Sequence, residues 1–393
     1  MNPRRLLLEW FHEALRSVDG ERCAANALRG RQTGPVALFA IGKAASSMSL
    51  GAFAALGDDI RQALIITKDG HVDPRLAGRP HVQVIECAHP VPDERSLAAG
   101  AELERQVTRL PRALTPLFLV SGGSSSLVES LRDGTTLGDL RALNVRGMAS
   151  GWDIARLNAE RARLSRLKYG GIARLLGDRP AQALFISDVP GDDPNVIGSG
   201  LLGTAPDRED HVQRTVVANL ELATRSVSDL AKAQGIELET RVGRFDGEAA
   251  NVAHEFVEAL RRTSADGLVW GGESTVVLPA NAGRGGRNQH LALAAARAMH
   301  AGDAFTILAA GTDGTDGPTD DAGALVDSGT IGRAELGGVD VERALNGFDS
   351  GLALEAAQDL VHTGPTGTNV GDILIGLKQN ARRFRDPAPP RML

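Results

Sequence analysis

The chain has 393 residues, 42% of them apolar and 23% charged, with a formal net charge of −6. That length favours two domains or more, and that apolar content excludes a disordered chain. The acidic balance argues against nucleic acid or an anionic membrane as the main partner, and no stretch of about 18 apolar residues offers a membrane span.

Residues 3–17 (PRRLLLEWFHEALRS) read as an amphipathic helix. The polar residues Glu9, His12 and Glu13 interrupt the opening segment, so it is not a secretory leader, and a cytoplasmic protein is expected. Two cysteines, Cys23 and Cys87, cannot build a disulfide framework or a full zinc site, so free buried thiols are expected. VALFAIG (36–42) is a short buried strand, and KAASSMSLGAFAAL behind it is helical. ALIITKDG (63–70) and VQVIECAHP (82–90) are the next strands, then SLAAGAELERQVTRL (96–110) is a helix with Ser96 as a candidate N-cap. PLFLVSGGSSSLVES (116–130) reads as strand, glycine turn and helix, and ALFISDVPGDDP (183–194) as a strand and an acidic turn. This alternation predicts βαβ units and a mostly parallel sheet, with ligands at the carboxyl ends of its strands.

A second set begins near residue 267 with GLVWGGESTVVLP, and continues through GGRNQHLALAAARAMHAG, AFTILAAGTDGTDG and TGPTGTNVGDILIGL. The expected division is an N-terminal domain over 1–245 and a C-terminal one over 246–393. The tail NARRFRDPAPPRML is polar and proline-rich, and is expected to fray.

Several segments could carry chemistry. In AIGKAASSM, Lys43 stands at the start of a helix, where helix N–H groups and an ammonium both favour an anion. The P-loop pattern fails there, since Ala44 follows the lysine, and a solvated lysine is the alternative. In SGGSSS, the backbone N–H groups of Gly122 and Gly123, with Ser124 and Ser125, form a donor array for a phosphate or carboxylate, or a plain strand–helix turn. The serine-hydrolase pattern GxSxG is absent. In ISDVPGDD, Asp188 leaves a strand end, with Asp192 and Asp193 one turn later. These carboxylates suit Mg²⁺, a general base, or turn chemistry.

In the second set, Glu273 follows a Gly-Gly, and GRGGRN concentrates Arg284 and Arg287 among glycines, where a guanidinium reaches phosphate oxygens bidentately. GRGGRN does not satisfy the dinucleotide fingerprint GxGxxG. GTDGTDGPTDDAG gathers five aspartates with Asp327 beyond it counted, but it fails the EF-hand pattern: from Asp313, Thr315 and Gly317 stand where Asp or Asn is needed. His89, in CAHPVPDERS, reads as a structural histidine.

Taken together, IGKAASSM, AHPVPDERS, LVSGGSSSLVE, NAERARLS, ISDVPGDDPNVIGSG, GGESTV, GGRNQH, GTDGTDGPTDDAG and TGPTGTNVGD resemble, in order, the glycerate 2-kinases, the class II glycerate kinases with a C-terminal MOFRL domain. The resemblance covers residues 36–377. It implies a larger N-terminal α/β/α domain, a smaller C-terminal α/β domain and an active site in the cleft between them. It implies ATP- and Mg²⁺-dependent phosphorylation of D-glycerate to 2-phosphoglycerate, with small-molecule partners and room for a homodimer. Some relatives are labelled hydroxypyruvate reductases, a label that the missing dinucleotide fingerprint argues against; a related sugar acid is another acceptor to consider.

Carried onto this chain, the resemblance makes Lys43 and Arg287 the charged catalytic pair. Gly122, Gly123, Ser124 and Ser125 cradle phosphate. Asp188 holds Mg²⁺ or accepts the hydroxyl proton, with Asp192 and Glu273 as further candidates, and Arg161 or Lys43 meets the carboxylate. Thr312, Asp313 and Asp316 place the nucleotide or its Mg²⁺, or stiffen the wall around Arg287, while Asp320 and Asp321 are solvated or helix-capping. One departure stands out. The family writes LS-x-I-K-G-G, and this chain writes LSRLKYGG with its single tyrosine, Tyr169, after Lys168, which leaves the role of Lys168 open.

Overall fold

The computed structural model describes residues 2–30, 34–149, 154–204, 211–279 and 281–379; the proline-rich tail lies outside them. The chain divides into two units, one of residues 18–219 with 367–370, the other of 1–17, 220–366 and 371–393.

The described residues of the first unit form six strands: β1 (Val36–Ile41), β2 (Ile60–Lys68), β3 (Val82–Cys87), β4 (Thr115–Val120), β5 (Ala181–Ile186) and β6 (Val212–Ala218). Their order is β3-β2-β1-β4-β5-β6, and every pair is parallel. Every residue of β1 is buried, as a central parallel strand covered on both faces requires. Phe39 of β1 stacks on Phe118 of β4 with ring centres 5.1 Å apart. The strand order reverses between β1 and β4, and doubly wound sheets bind ligands outside the carboxyl ends at that point. Five of the six strands match the predicted runs; β6 was not assigned from sequence. The helix Glu94–Thr108 starts on Asp93, whose carboxylate accepts from the Ser96 N–H; the N-cap is thus Asp93, and Ser96 completes the capping box from inside the helix.

The second unit carries β7 (Leu238–Phe245), β8 (Gly267–Gly272), β9 (Phe305–Gly311), β10 (Gly323–Asp327), β11 (Leu360–Val361) and β12 (Asp372–Lys378). The order is β11-β10-β9-β12-β8-β7, and among the described residues only β7 and β8 pair in parallel. Phe256 meets Trp270 edge-on in its core, with ring centres 4.9 Å apart. GTDGTDGPTDDAG joins antiparallel neighbours, β9 and β10.

The expected division at 245/246 does not coincide with this one. β7 pairs with β8, so residues 238–245 belong to the second sheet. The opening helix Pro3–Ser17 belongs there too. It buries Leu6, Leu7, Trp10, Phe11 and Ala14. Trp10 Nε1 donates to Gln234 at 2.8 Å, and Arg4 pairs with Asp327 at 2.6 Å and Asp359 at 2.7 Å. Cys23 and Cys87 are free and buried, and burial pushes both thiols up to about 11. Among the described residues, no helix is long and apolar enough to cross a membrane.

Candidate active site

At the carboxyl end of β1 the chain turns through Gly42, Lys43 and Ala44 into the helix Ala45–Leu56; at the end of β4 it turns through Ser121, Gly122 and Gly123 into the short helix Ser124–Leu127. Hydrogen bonds tie the two turns together. Lys43 N donates to Gly122 O and Ala44 N to Ser121 Oγ, both at 3.0 Å. Gly122 must be glycine. A Cβ there would stand 2.0 Å from Asp188 Oδ2 and 1.9 Å from Asn369 Nδ2, an amide that donates to that same oxygen at 2.9 Å. Gly123 takes a φ of +83°, and a Cβ on it would lie 3.1 Å from the His89 ring and 3.2 Å from Lys43 Cγ. The turn thus gathers Lys43, His89, Asp188 and Asn369. Among the described residues, Ser124 Oγ is buried with no hydrogen-bond partner, as is Ser46 Oγ in the first turn of the helix after Lys43. Buried hydroxyls without partners are uncommon and point to a ligand or an ordered water. Ser125 Oγ lies 2.7 Å from Ser199 Oγ.

Asp192 sits on a left-handed backbone, φ 55°, and accepts from Asn219 Nδ2 at 2.5 Å, so Asp188 and Asp192 take different amide partners. Among the described residues no group of three or more His, Cys, Asp or Glu side chains gathers as a metal site.

Beside the turn lies a cavity of about 220 Å³, lined by His89, Pro90, Gly123, Ser125, Ser126, Arg161 and Lys168, among others. A larger hollow of about 430 Å³, near Gln62, His81 and Arg105, lies at the amino ends of β2 and β3, the wrong end of a parallel sheet for its ligand. His89, read from sequence as structural, lines the smaller cavity. Lys168 Nζ meets Glu129 Oε2 at 2.5 Å, with both side chains buried. The other Glu129 oxygen accepts from Ser165 Oγ at 2.5 Å and from Ser130 N at 3.0 Å. Burial pushes the pKa of Lys168 down, and that of Arg161 also, while Glu129 opposes both shifts. Tyr169 has a φ of 53° and Gly170 one of 73°, and their N–H groups donate to Ser199 O and Gly200 O. Two left-handed residues thus take up the departure in LSRLKYGG, and Lys168 stays inside. Sequence reading passed over Glu129, and placed Asn369 and Asp372 only behind the polar turn of TGPTGTNVGD, with no partner assigned to either. Glu129 shows only as one carboxylate in SSSLVES, and Asn369 meets its partner 181 positions away.

In the second unit, Arg287 opens the helix Arg287–Ala298. Its guanidinium bonds Asp372 through Nε at 2.7 Å and Nη2 at 3.1 Å, and Glu273 through Nη1 at 2.6 Å. Asp372 opens β12 and pairs with Gly272, which explains why Glu273 is beside it. Burial works against the charge on Arg287, but the two carboxylates more than offset it and raise its pKa. Asp316 reaches the same helix: its oxygens accept from Asn288 N at 3.0 Å and Gln289 N at 2.7 Å. Burial pushes this carboxyl up to about 7, against the two N–H bonds. Thr312, fully buried, donates from Oγ1 to Gly371 O at 2.7 Å, and Asp313 Oδ1 accepts from Thr315 N at 3.0 Å. Asp320 is exposed, as expected. Asp321 is neither solvated nor a cap: it is buried, 2.6 Å from His362 Nδ1, because β11 brings His362 alongside the start of β10. The candidates therefore form one cluster in each unit: Lys43, Gly122, Gly123, Ser124, Ser125 and Asp188 in the first, Glu273, Arg287, Thr312, Asp313 and Asp316 in the second.

Residues 6–232 match the domain of unknown function DUF4147, and residues 267–372 match the MOFRL family. A D-glycerate 2-kinase of Thermotoga maritima is 32% identical, across 95% of this chain and 98% of its own. A glycerate 2-kinase of Pyrococcus horikoshii is 30% identical, across 97% and 99%. An Agrobacterium vitis protein provisionally named a hydroxypyruvate reductase is 33% identical, across 87% of this chain and all of its own. The crystal structure of a glycerate kinase from Thermotoga maritima matches with a TM-score of 0.84 at 32% identity, covering 95% of this chain and 99% of that one. The chain belongs to the glycerate 2-kinase family, with a DUF4147 domain followed by a MOFRL domain.

Proposed function

We propose that this protein transfers the γ-phosphoryl group of ATP to the 2-hydroxyl of D-glycerate, giving 2-phosphoglycerate and ADP. The observation that carries this reading is the Gly122–Gly123 turn at the strand-order reversal, with Lys43 against Gly123 and Asp188 against Gly122. Backbone N–H groups of such a turn bind phosphate oxygens, and the orphaned Ser124 hydroxyl is one more donor. Phosphoryl transfer depends on positioning and on offsetting charge at the transferring oxygens. Lys43 is assigned that task, with Arg287, held rigid by Asp372 and Glu273, as the second cation.

In the transfer the acceptor oxygen bonds the γ-phosphorus, the bond to the β–γ bridging oxygen breaks, and the hydroxyl proton leaves. Asp188 either accepts that proton or holds Mg²⁺. The donor chemistry fits: Mg²⁺ takes one or two carboxylates and completes its shell with phosphates and water, and Asn369 orients the Asp188 carboxylate. When bound, Mg²⁺ would neutralise phosphate charge; Asp192, already bonded to Asn219, is the second candidate ligand. Glu273, Thr312 and Asp313 are proposed on the nucleotide side, and Asp316 acts through the helix that carries Arg287.

The test is an assay with ATP, Mg²⁺ and D-glycerate, with the product's regiochemistry read by NMR. We expect 2-phosphoglycerate. Transfer to the 3-hydroxyl, or to a C4–C6 sugar acid only, would overturn the acceptor assignment, and no transfer at all would overturn the kinase reading. One observation favours a second reading: dinucleotide-binding folds share the strand order of the first sheet. A hydroxypyruvate reductase would oxidise NADPH with hydroxypyruvate, although Gly42-Lys43-Ala44-Ala45 after β1 lacks the glycine fingerprint.

A further inference from the structure

We infer that the cavity beside Gly123 is the acceptor subsite, and that Lys168 and Arg161 together take the carboxylate of a three- or four-carbon hydroxy acid. An ammonium has three donors. Lys168 Nζ uses one, on Glu129, and among the described residues its ammonium has no other hydrogen-bond partner. The side chain is 2% exposed, so water does not satisfy the rest from outside, yet Lys168 lines the cavity. A buried cation with spare donors at a cavity wall is costly unless the cavity supplies acceptors.

Charge and size narrow the ligand. Two basic side chains, Lys168 and Arg161, line the cavity, and the buried Glu129 carboxylate sits against Lys168, a wall that suits an anionic ligand. The cavity, about 220 Å³, falls below the roughly 300–1,000 Å³ of pockets for drug-sized ligands. Gly123 lines the same cavity, so an acid anchored on Lys168 and Arg161 can turn its hydroxyls toward the turn that carries Lys43. The subsite itself stands on this geometry, while the naming of D-glycerate rests on the kinase reading.

The test is D-glycerate binding to nucleotide-free protein by calorimetry, with KM for D-glycerate as the same readout where affinity is too weak. The double variant Lys168→Met/Glu129→Gln removes both charges at nearly constant volume, a change that often leaves stability unaffected. If the pair only supports the fold, this variant binds the acid as the wild type does. We expect instead a loss of about 10- to 100-fold, with ATP affinity within twofold, as for a lost charge-assisted contact. A folded double variant with wild-type acid affinity overturns the inference. Should it fail to fold, Arg161→Gln decides: we expect at least about a tenfold loss of acid affinity with ATP affinity within twofold, and no loss overturns the inference. Acid binding that responds as described without phosphate transfer would keep the subsite and remove the kinase reading. Transfer with unaffected variants would do the reverse.

Discussion

The Gly122–Gly123 turn and the GTDGTDG loop both follow a sheet strand, and they treat polar groups in opposite ways. The acidic loop uses its carboxylates internally. Asp316 holds the first N–H groups of a helix, Asp313 closes its own turn, and Asp321 pairs with His362. The glycine turn is poor in charge but brings a lysine, a carboxylate, an amide and a histidine around bare backbone, and leaves a serine hydroxyl with no partner. Density of carboxylates is therefore a weak guide to chemistry. What marks a site is polar capacity that the fold itself does not use.

The comparison predicts different penalties in the two units. Lys43→Ala should lower kcat/KM by about 10²–10³-fold, the scale for losing one transition-state charge partner, a larger effect on turnover than on stability. Arg287→Ala should lower turnover as well, but also stability. Asp372 is 2% exposed and would lose its bidentate partner. Breaking a buried pair costs about 3–5 kcal/mol, and the part-exposure of Arg287 places it at the low end. Paired urea melts and steady-state kinetics separate the two. Equal stability of the two variants would break the contrast between a turn built for a ligand and a cluster built partly for the fold.

The first sheet was legible because its strands are short apolar runs ending in glycine turns, and parallel central strands need no more signal than that. β6, with the sequence VQRTVVA, lies at the sheet edge and is only half buried along its length, so its pattern is weak. The unit boundary was hidden for another reason: nothing in PRRLLLEWFHEALRS says that its apolar face packs with residues more than two hundred positions away. Lys43, Gly122 and Asp188 were readable from their places after strands. Glu129 was not, and Asn369 was legible only as a polar residue behind the TGPTGT turn, since a single buried carboxylate or amide gains its meaning only from the partner that the fold delivers.

Asp316 sharpens the contrast through pH. Its carboxyl is raised to about 7 in the folded chain, against about 3.9 when unfolded. Between these values the unfolded chain has released the proton and the folded chain retains it, so stability falls as pH rises from about 4 to 7 and levels off above. Asp316→Asn keeps an acceptor for the helix N–H groups and cannot ionise. Urea melts at pH 5 and pH 7.5 should differ less in the variant than in the wild type, by about 1–3 kcal/mol. An equal difference in both proteins would mean that Asp316 is ionised across the range, and that the cap carries a full charge next to Arg287.

The smallest effects divide the acidic loop itself. Asp313 and Asp321 are equally buried at 7% exposure, and neither substitution to Asn changes shape. Asp321 faces His362, whose side chain is 70% exposed, so the pair is screened by water and contributes about 0–1 kcal/mol. Asp321→Asn should leave turnover within about twofold. Asp313 bonds Thr315 N and lies near the Arg287 partner Asp372: a Cβ on Gly311 would be 3.3 Å from one carboxylate and 3.4 Å from the other. Asp313→Asn keeps the Thr315 bond and removes only the charge. If that charge helps to place the nucleotide or its metal, turnover falls by about tenfold or more, the scale of one charge-assisted contact. Equal turnover in the two variants would make the whole loop architectural, and would leave the glycine turn of the first unit with the chemistry alone.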